Sequence, residues 1–385
     1  MRALPDIRDA GDLKGKRVLL RTDFDVLIDT KKKIVLDDLR IQTSLATINY
    51  LREQEAKIII VSHAGRPKGK VVETMRLAPV ASRLAELLKT QVPCAADVTG
   101  VSAEEIVSSV ELGGVVMLEN VRFEEGELEN GSELAKALAK FGDLYVNDAF
   151  ADSHRKHASI VGIPKLLPHY AGIQFLKEVE GLSKALEPEH PALALLCGAK
   201  FETKSPLIRK FLKTYDTVFV GGALANDFFK AQGYEVGRSV ISDEVAGIED
   251  LLLEQKLLLP ADVIVETEEG VREERDPRLV GNNEIILDAG KETVAVLKEK
   301  IADAHFILWN GPFGVYEKGF TESTEEVARM IAQSDAVSVV GGGDTIAAIA
   351  KLKLEDKFTF LSTAGGAMLE FLAKGTLPGI DALRS

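Results

Sequence analysis

Short β-branched apolar runs recur along this chain, separated by longer stretches with helical spacing. In the first half they cover residues 17–20, 58–61, 115–118 and 144–146. In the second half they cover 192–196, 217–220, 263–265, 306–308, 337–340 and 358–361. Runs this short and this apolar fit strands buried on both faces, and the alternation with helices predicts parallel sheets joined by right-handed crossovers. The expected fold class is α/β: two Rossmann-like, doubly wound parallel-sheet domains joined by a helix and hinge. Residues 174–186 have helical spacing, lie between the two sets of strands and are closed by Pro188, which suits either a rigid connector or an ordinary surface helix. The acidic stretch 266–274 reads as a solvated loop or edge.

The chain has 385 residues, more than one core usually organises, which also favours two domains. A net charge of −13 argues against a nucleic-acid or anionic-membrane partner, so any bound anion must meet a local basic pocket. Cys94 and Cys197 are the only cysteines, which excludes a cysteine-rich zinc site and suits packed thiols in a reducing compartment. No apolar run is long enough to span a membrane, and the N-terminus lacks an apolar secretion core, so the expected location is cytoplasmic.

Candidate chemistry divides between the halves. The first offers Arg21, Asp23, Arg40, His63, Arg66, Arg122, Arg155 and His157, mostly just after apolar runs, where a parallel sheet presents ligand-facing groups. Arginine forks suit a small anion bearing carboxylate and phosphate. His63 in SHAGRP is either a ligand or a satisfied core residue. The second half offers Lys200, Lys204, Asn310, Glu317, Gly341 to Thr345 and Ser362 to Gly366, a set suited to a nucleotide polyphosphate and its metal.

Gly341-Gly342-Gly343-Asp344-Thr345 links a strand to a helix whose free N–H groups can hold phosphate; Asp344 there either caps the helix or binds magnesium. The junction FLSTAGG, residues 360–366, repeats the arrangement. There is no GxxxxGK[ST] loop, so a lysine must come from elsewhere. Lys200 and Lys204 stand at i, i+4, which on a helix places both on one side around an anion, unless both are simply exposed. Gly221-Gly222-Ala223 has too few glycines for a dinucleotide fingerprint. The turn from Trp309 to Glu317 either grips an adenine and ribose or is structural. No nucleophile with its base is evident, so two unlike anions suggest direct phosphoryl transfer without a covalent intermediate.

At these residues the chain resembles phosphoglycerate kinase, through RTDFDV, SHAGRPKG, LENVRF, VNDAFADSHRKHAS, GAKFETK, WNGPFGVYE, GGGDT, STAGGA and LPGIDAL, collinear over almost the whole length. The resemblance implies a phosphoglycerate-binding domain at 1–168, with the tail 370–385 packing back on it, and a nucleotide-binding domain at 169–369 that includes the connecting helix. It implies a glycolytic and gluconeogenic kinase, a transferase with a carboxyl acceptor that exchanges phosphoryl between 1,3-bisphosphoglycerate with ADP and 3-phosphoglycerate with ATP, after hinge closure. The cofactor would be Mg2+ with ATP or ADP, and the protein a monomer.

Carried over by motif, Asp23, Asp25, Arg40, His63, Arg66, Arg122 and Arg155 would bind the acceptor. Lys200, Lys204, Gly221, Asn310, Pro312, Glu317, Gly342, Gly343, Asp344 and Thr345 would bind the nucleotide, with Asp344 on the metal. Arg40, Lys204, Gly365 and Gly366 would act on the transferring group. Asp25 and Leu27 replace the family's usual asparagine and proline, and Cys197 and Ala364 stand where glycines are usual. An acid 4 Å from an anionic substrate would repel it by roughly 4 kcal/mol at an effective dielectric of 20. Asp25 would then turn to an arginine, carry a proton or weaken the acceptor's binding. Ala364 would be tolerated only at negative φ. These departures leave two alternatives: a catalytically weak regulatory or binding relative, or a kinase for a related small carboxylate.

Overall fold

The computed structural model describes residues 3–385. The chain forms two compact units, residues 1–180 with 376–385, and residues 181–375. The division falls between Glu180 and Gly181, inside the helix Ile173–Ser183 rather than ahead of it. Phe175, Glu178 and Leu182 of that helix are buried, so it is not an ordinary surface helix.

The first unit is built on a five-stranded parallel sheet, in the spatial order Val115–Met117, Lys57–Val61, Arg17–Arg21, Leu144–Asn147, His169–Ala171. Register places Arg21 beside Val61 and Asn147, so the loops after all three central strands leave the sheet at one edge. The strands are buried almost end to end, as a sheet covered on both faces requires. The tail helix Pro378–Arg384 belongs to this unit, and Gly379 N donates to Ser153 O at 2.8 Å, pinning the loop after Leu144–Asn147. A Cβ on Gly379 would lie 2.4 Å from Ser153 Oγ, so the close approach needs glycine.

The second unit has a six-stranded parallel sheet, in the order Leu257–Leu258, Thr217–Val220, Ala192–Leu196, Phe306–Asn310, Val337–Gly341, Phe360–Ser362. The run at 263–265 departs from the parallel expectation. It forms the strand Val263–Glu266, antiparallel to both Arg272–Arg275 and Ile285–Ala289. The reason is the tight turn between the first two, in which Thr267 N donates to Val271 O at 2.9 Å, since so short a link can only return the chain antiparallel. Burial alternates along Val263–Glu266 and along the charged edge strand Arg272–Arg275, as one-faced strands require.

Candidate functional site

In the first unit the loops at the sheet's C-terminal edge bring most of the predicted basic residues together around a carboxylate that was not among them, Asp152. Asp152 Oδ1 accepts from Arg122 Nη2 at 3.0 Å and from Arg155 Nη1 at 3.1 Å. Its Oδ2 accepts from Arg21 Nη2 at 3.2 Å and lies 3.3 Å from His63 Nδ1. Burial opposes ionisation of Asp152, but the charges of Arg21, Arg122 and Arg155 outweigh it and hold its pKa below the ordinary range. The hint in the sequence was an acid three residues before Arg155 in a motif otherwise rich in basic groups.

His63 is buried and its pKa is driven well below the usual value, by desolvation first and then by Arg21, Arg122 and Arg155, so it is neutral. Arg21 is fully buried and donates to Ser159 Oγ, which itself donates to Glu127. Burial raises the Glu127 pKa. His157 is held down to about 4 by burial and by Arg122 and Arg21. Arg40, in the first turn of the helix Leu39–Glu53, donates to Asp23 Oδ2 at 2.7 Å. Desolvation and the nearby Asp152 raise Asp23 to about 6, against the pull of Arg40. Asp23, His63 and Asp152 each offer one donor atom within 4.8 Å of the others, but guanidinium groups already engage both Asp152 oxygens, which disfavours a cation there. Arg66, Lys68, Arg122, Leu128, Arg155 and His157 line an open cavity of about 340 Å³.

Of the courses expected for Asp25, pairing with an arginine is not the one seen. Its Oδ1 accepts from Gly65 N at 2.7 Å, so a backbone amide turns the carboxylate. Leu27 is exposed. Ala364 is buried and does not adopt positive φ, which meets the condition for tolerating its methyl group.

The second unit builds its site from backbone. Helices starting at Phe201, Ala223, Gly343 and Gly366 each leave the same sheet edge after a residue with positive φ, and no N-cap side chain serves any of them. Phe201 N donates to Ser242 Oγ and Leu224 N to Gly198 O, which leaves the helix starts at Gly343 and Gly366 to face an anion. A Cβ on Gly311 (φ 96°) would lie 2.3 Å from Cys197 O, and one on Gly222 (φ 63°) would lie 2.6 Å from Gly198 N. The loops after three strands therefore touch backbone to backbone. Gly198 and Gly311 are missing from the predicted set.

Two expectations fail here for one reason, the position of the helix start. Lys200 is at φ 71°, outside the helix Phe201–Thr214, and is exposed, whereas Lys204 is buried within it, so the two ammonium groups do not share a side. Asp344 is not the cap: Gly342 is, and Asp344 stands exposed in the first turn. Lys204 Nζ donates to Cys197 O, and burial lowers its pKa to about 8. Burial raises both thiols, Cys94 and Cys197, to about 12, as packed cysteines.

A cavity of about 420 Å³ in this unit is lined by Gly198, Gly222, Asn226, Pro312, Glu317 and Asp344 among others. Asp288 also lines it, buried and raised to about 6 chiefly by desolvation. Of the predicted residues, Lys200, Lys204, Gly221, Asn310, Gly342, Gly343 and Thr345 do not line the cavity. Gly221 packs instead against Phe219 and Cys197, and Trp309 is fully buried, its Nε1 donating to Gly311 O at 2.8 Å. Thr345 Oγ1 and Asn226 Oδ1 are buried without a hydrogen-bond partner among the described residues. Orphaned acceptors beside uncapped helix ends are what a ligand would satisfy.

A phosphoglycerate kinase family profile matches residues 7–375. The chain is 44% identical over 390 residues to a phosphoglycerate kinase of Pelotomaculum thermopropionicum, covering 98% of both chains. It is 42% identical over 393 residues to that of Dictyoglomus turgidum, again covering 98% of both. Among solved structures, phosphoglycerate kinase from Coxiella burnetii superposes with a TM-score of 0.85 at 38% identity, covering 99% of each chain. That from Pyrococcus horikoshii superposes with a TM-score of 0.87 at 33% identity, over 99% of this chain and 98% of the other. None of these matches favours a regulatory relative or a different carboxylate acceptor. The chain therefore belongs to the phosphoglycerate kinase family, glycolytic phosphotransferases that use ATP and ADP and a carboxyl group as acceptor.

Proposed function

We propose that the first unit binds 3-phosphoglycerate or 1,3-bisphosphoglycerate and the second binds ATP or ADP, with direct in-line transfer between them. The observation that carries this reading is the presence in one chain of two unlike anion sites: an arginine-lined cavity and a cavity ringed by uncapped helix ends. Arg66, Arg122 and Arg155 hold the acceptor's anionic groups. Arg40, released from Asp23, approaches the transferring phosphoryl, together with Lys204 and the N–H groups at Gly365 and Gly366. Charge on a metaphosphate-like group is stabilised by such donors, each worth ~100- to 1000-fold in rate. Lys200, Asn310, Pro312, Glu317, Gly342, Gly343 and Thr345 belong to the nucleotide's surroundings.

The donor set also fits magnesium carried by the nucleotide. Asp344 is an exposed carboxylate lining the cavity, and one carboxylate with phosphate oxygens and water suits that ion. When bound, Mg2+ would neutralise phosphate charge, and Asp344 would hold it. Transfer requires the two anions to meet with water excluded, so closure of one unit on the other is part of the proposal. No helix among the described residues is long and apolar enough to cross a membrane. The strongly acidic net charge supports action on small molecules and not on nucleic acid, and a cytoplasmic monomer is part of the same proposal.

The test is magnesium-dependent ADP formation from ATP, with and without 3-phosphoglycerate, with product removal coupled. Turnover that depends on the acceptor is expected. Equal ADP formation without the acceptor would sink the reading.

A further inference from the structure

The transfer reaction calls for cations in the first unit, and Asp152 is an anion at their centre. It is only 3% exposed, and three guanidinium groups converge on its two oxygens at 3.0 to 3.2 Å. Its backbone is fixed on both sides: Asp152 N donates to Ala149 O, Arg155 N donates to Asp152 O, and the next residue is pinned by Gly379. Arg122 has little left to offer a ligand. Its Nη1 donates to Gly65 O at 2.9 Å, its Nη2 serves Asp152, and its Nε is buried without a partner. Two arginines facing the 340 Å³ cavity are thus already engaged by an internal carboxylate.

We propose that Asp152 is a resident counter-anion: it holds Arg122 and Arg155 in place in the free protein and competes with the acceptor's anionic group for them. This rests on the reading that the arginine cavity binds 3-phosphoglycerate. Mutually repelling guanidinium groups packed together need an anion, and a built-in one stabilises the free protein. The same negative charge then stands beside the incoming anion and weakens its binding. A carboxylate that only scaffolded the arginines would have the opposite effect when neutralised, because the arginines would splay and affinity would fall.

Asp152→Asn keeps an acceptor oxygen and removes the charge; Asp152→Ser removes the charge in a smaller side chain. Calorimetric titration with 3-phosphoglycerate is expected to show roughly tenfold tighter binding in D152N, with KM falling in step and kcat moving less. The ligand-free variant should melt lower than the unaltered chain and gain more from 3-phosphoglycerate. Unchanged or weaker binding in both variants would overturn the proposal, as would failure of both to fold even with 3-phosphoglycerate present. Folding only in its presence would support it. Arg66→Ala, at an exposed residue lining the same cavity, separates the two readings. Unchanged 3-phosphoglycerate binding in R66A would overturn the acceptor assignment and this proposal with it. Loss in R66A without tightening in D152N would overturn this proposal alone.

Discussion

The two units present their candidate anion-binding groups by opposite means. The first uses long side chains: Arg122, Arg155 and Arg40 reach from loops and a helix start, and each is paired with a carboxylate in the free protein. The second uses main chain: positive-φ residues let three loops abut and leave helix N-termini uncapped. A guanidinium group can change partners at the cost of one ion pair. A backbone amide aimed by a glycine cannot be re-aimed without moving the strand that carries it. Lesions in the first unit should therefore appear in ligand affinity, and lesions in the second in folding and turnover.

The hardest test of that contrast is Gly311→Ala. The new methyl would sit 2.3 Å from Cys197 O, and φ is 96°, so neither space nor backbone permits it. A loss on the order of 3 kcal/mol or more is expected, lowering the melting midpoint by roughly 6 °C or more and abolishing ATP binding. An unchanged midpoint with intact nucleotide binding would break the comparison.

Lys204 is the exception in the second unit, a buried cation in a backbone site. Replacing it by Met should cut turnover ~100- to 1000-fold, as loss of a donor to the transferring group does. Burial has lowered its pKa to about 8 from 10.5. Between those values the unfolded chain holds the proton more firmly than the folded one, so the folded protein carries its full penalty below pH 8 and none above about 10.5. K204M should therefore melt higher than the parent at pH 7, with the gain vanishing toward pH 10.5. The parent's activity should fall on the basic side with a midpoint near 8. Normal turnover in K204M, or a lower melting midpoint at pH 7, would remove Lys204 from this role.

Two buried carboxylates in the first unit sharpen the point about compensation. Asp152 is surrounded by cations, whereas Asp148 accepts from Phe175 N and burial raises it to about 7. Its unfolded value is near 3.8, so ionising it costs folding free energy that grows from about pH 4 to pH 7 and is full above that. Asp148→Asn should stabilise the protein at pH 8, on the order of 4 kcal/mol at most, and leave it unchanged at pH 4. Calorimetric melts at the two values decide it; destabilisation at pH 8 would mean that the charge is compensated after all.

How much of this was legible in the sequence follows from the same contrast. Strands buried on both faces announce themselves by composition, so the parallel sheets were readable. The run at 263–265 looks no different, and only the turn after it fixes its antiparallel direction. The predicted first-unit residues stand where the motifs put them because a side chain carries its chemistry in its identity. Asp152 was missed because its partners come from four separate segments. In the second unit each glycine reads as an isolated turn, and nothing in the spacing reveals that Gly198, Gly222 and Gly311 touch. The left-handed Lys200 was equally invisible, and with it the true start of the helix.

The gentlest test concerns Asp25, for which simple charge repulsion predicted a large penalty. Its carboxylate accepts from Gly65 N and its side chain is 38% exposed, so solvent and an amide dipole share the charge. An exposed charge interaction of this kind is worth about 1 kcal/mol or less. Asp25→Asn, which keeps an acceptor for Gly65 N, should lower the KM for 3-phosphoglycerate by no more than about fivefold and leave kcat alone. A hundredfold fall would mean that Asp25 faces the acceptor unscreened. A rise would mean that its charge helps to orient Arg40, whose guanidinium feels Asp25 as well as Asp23.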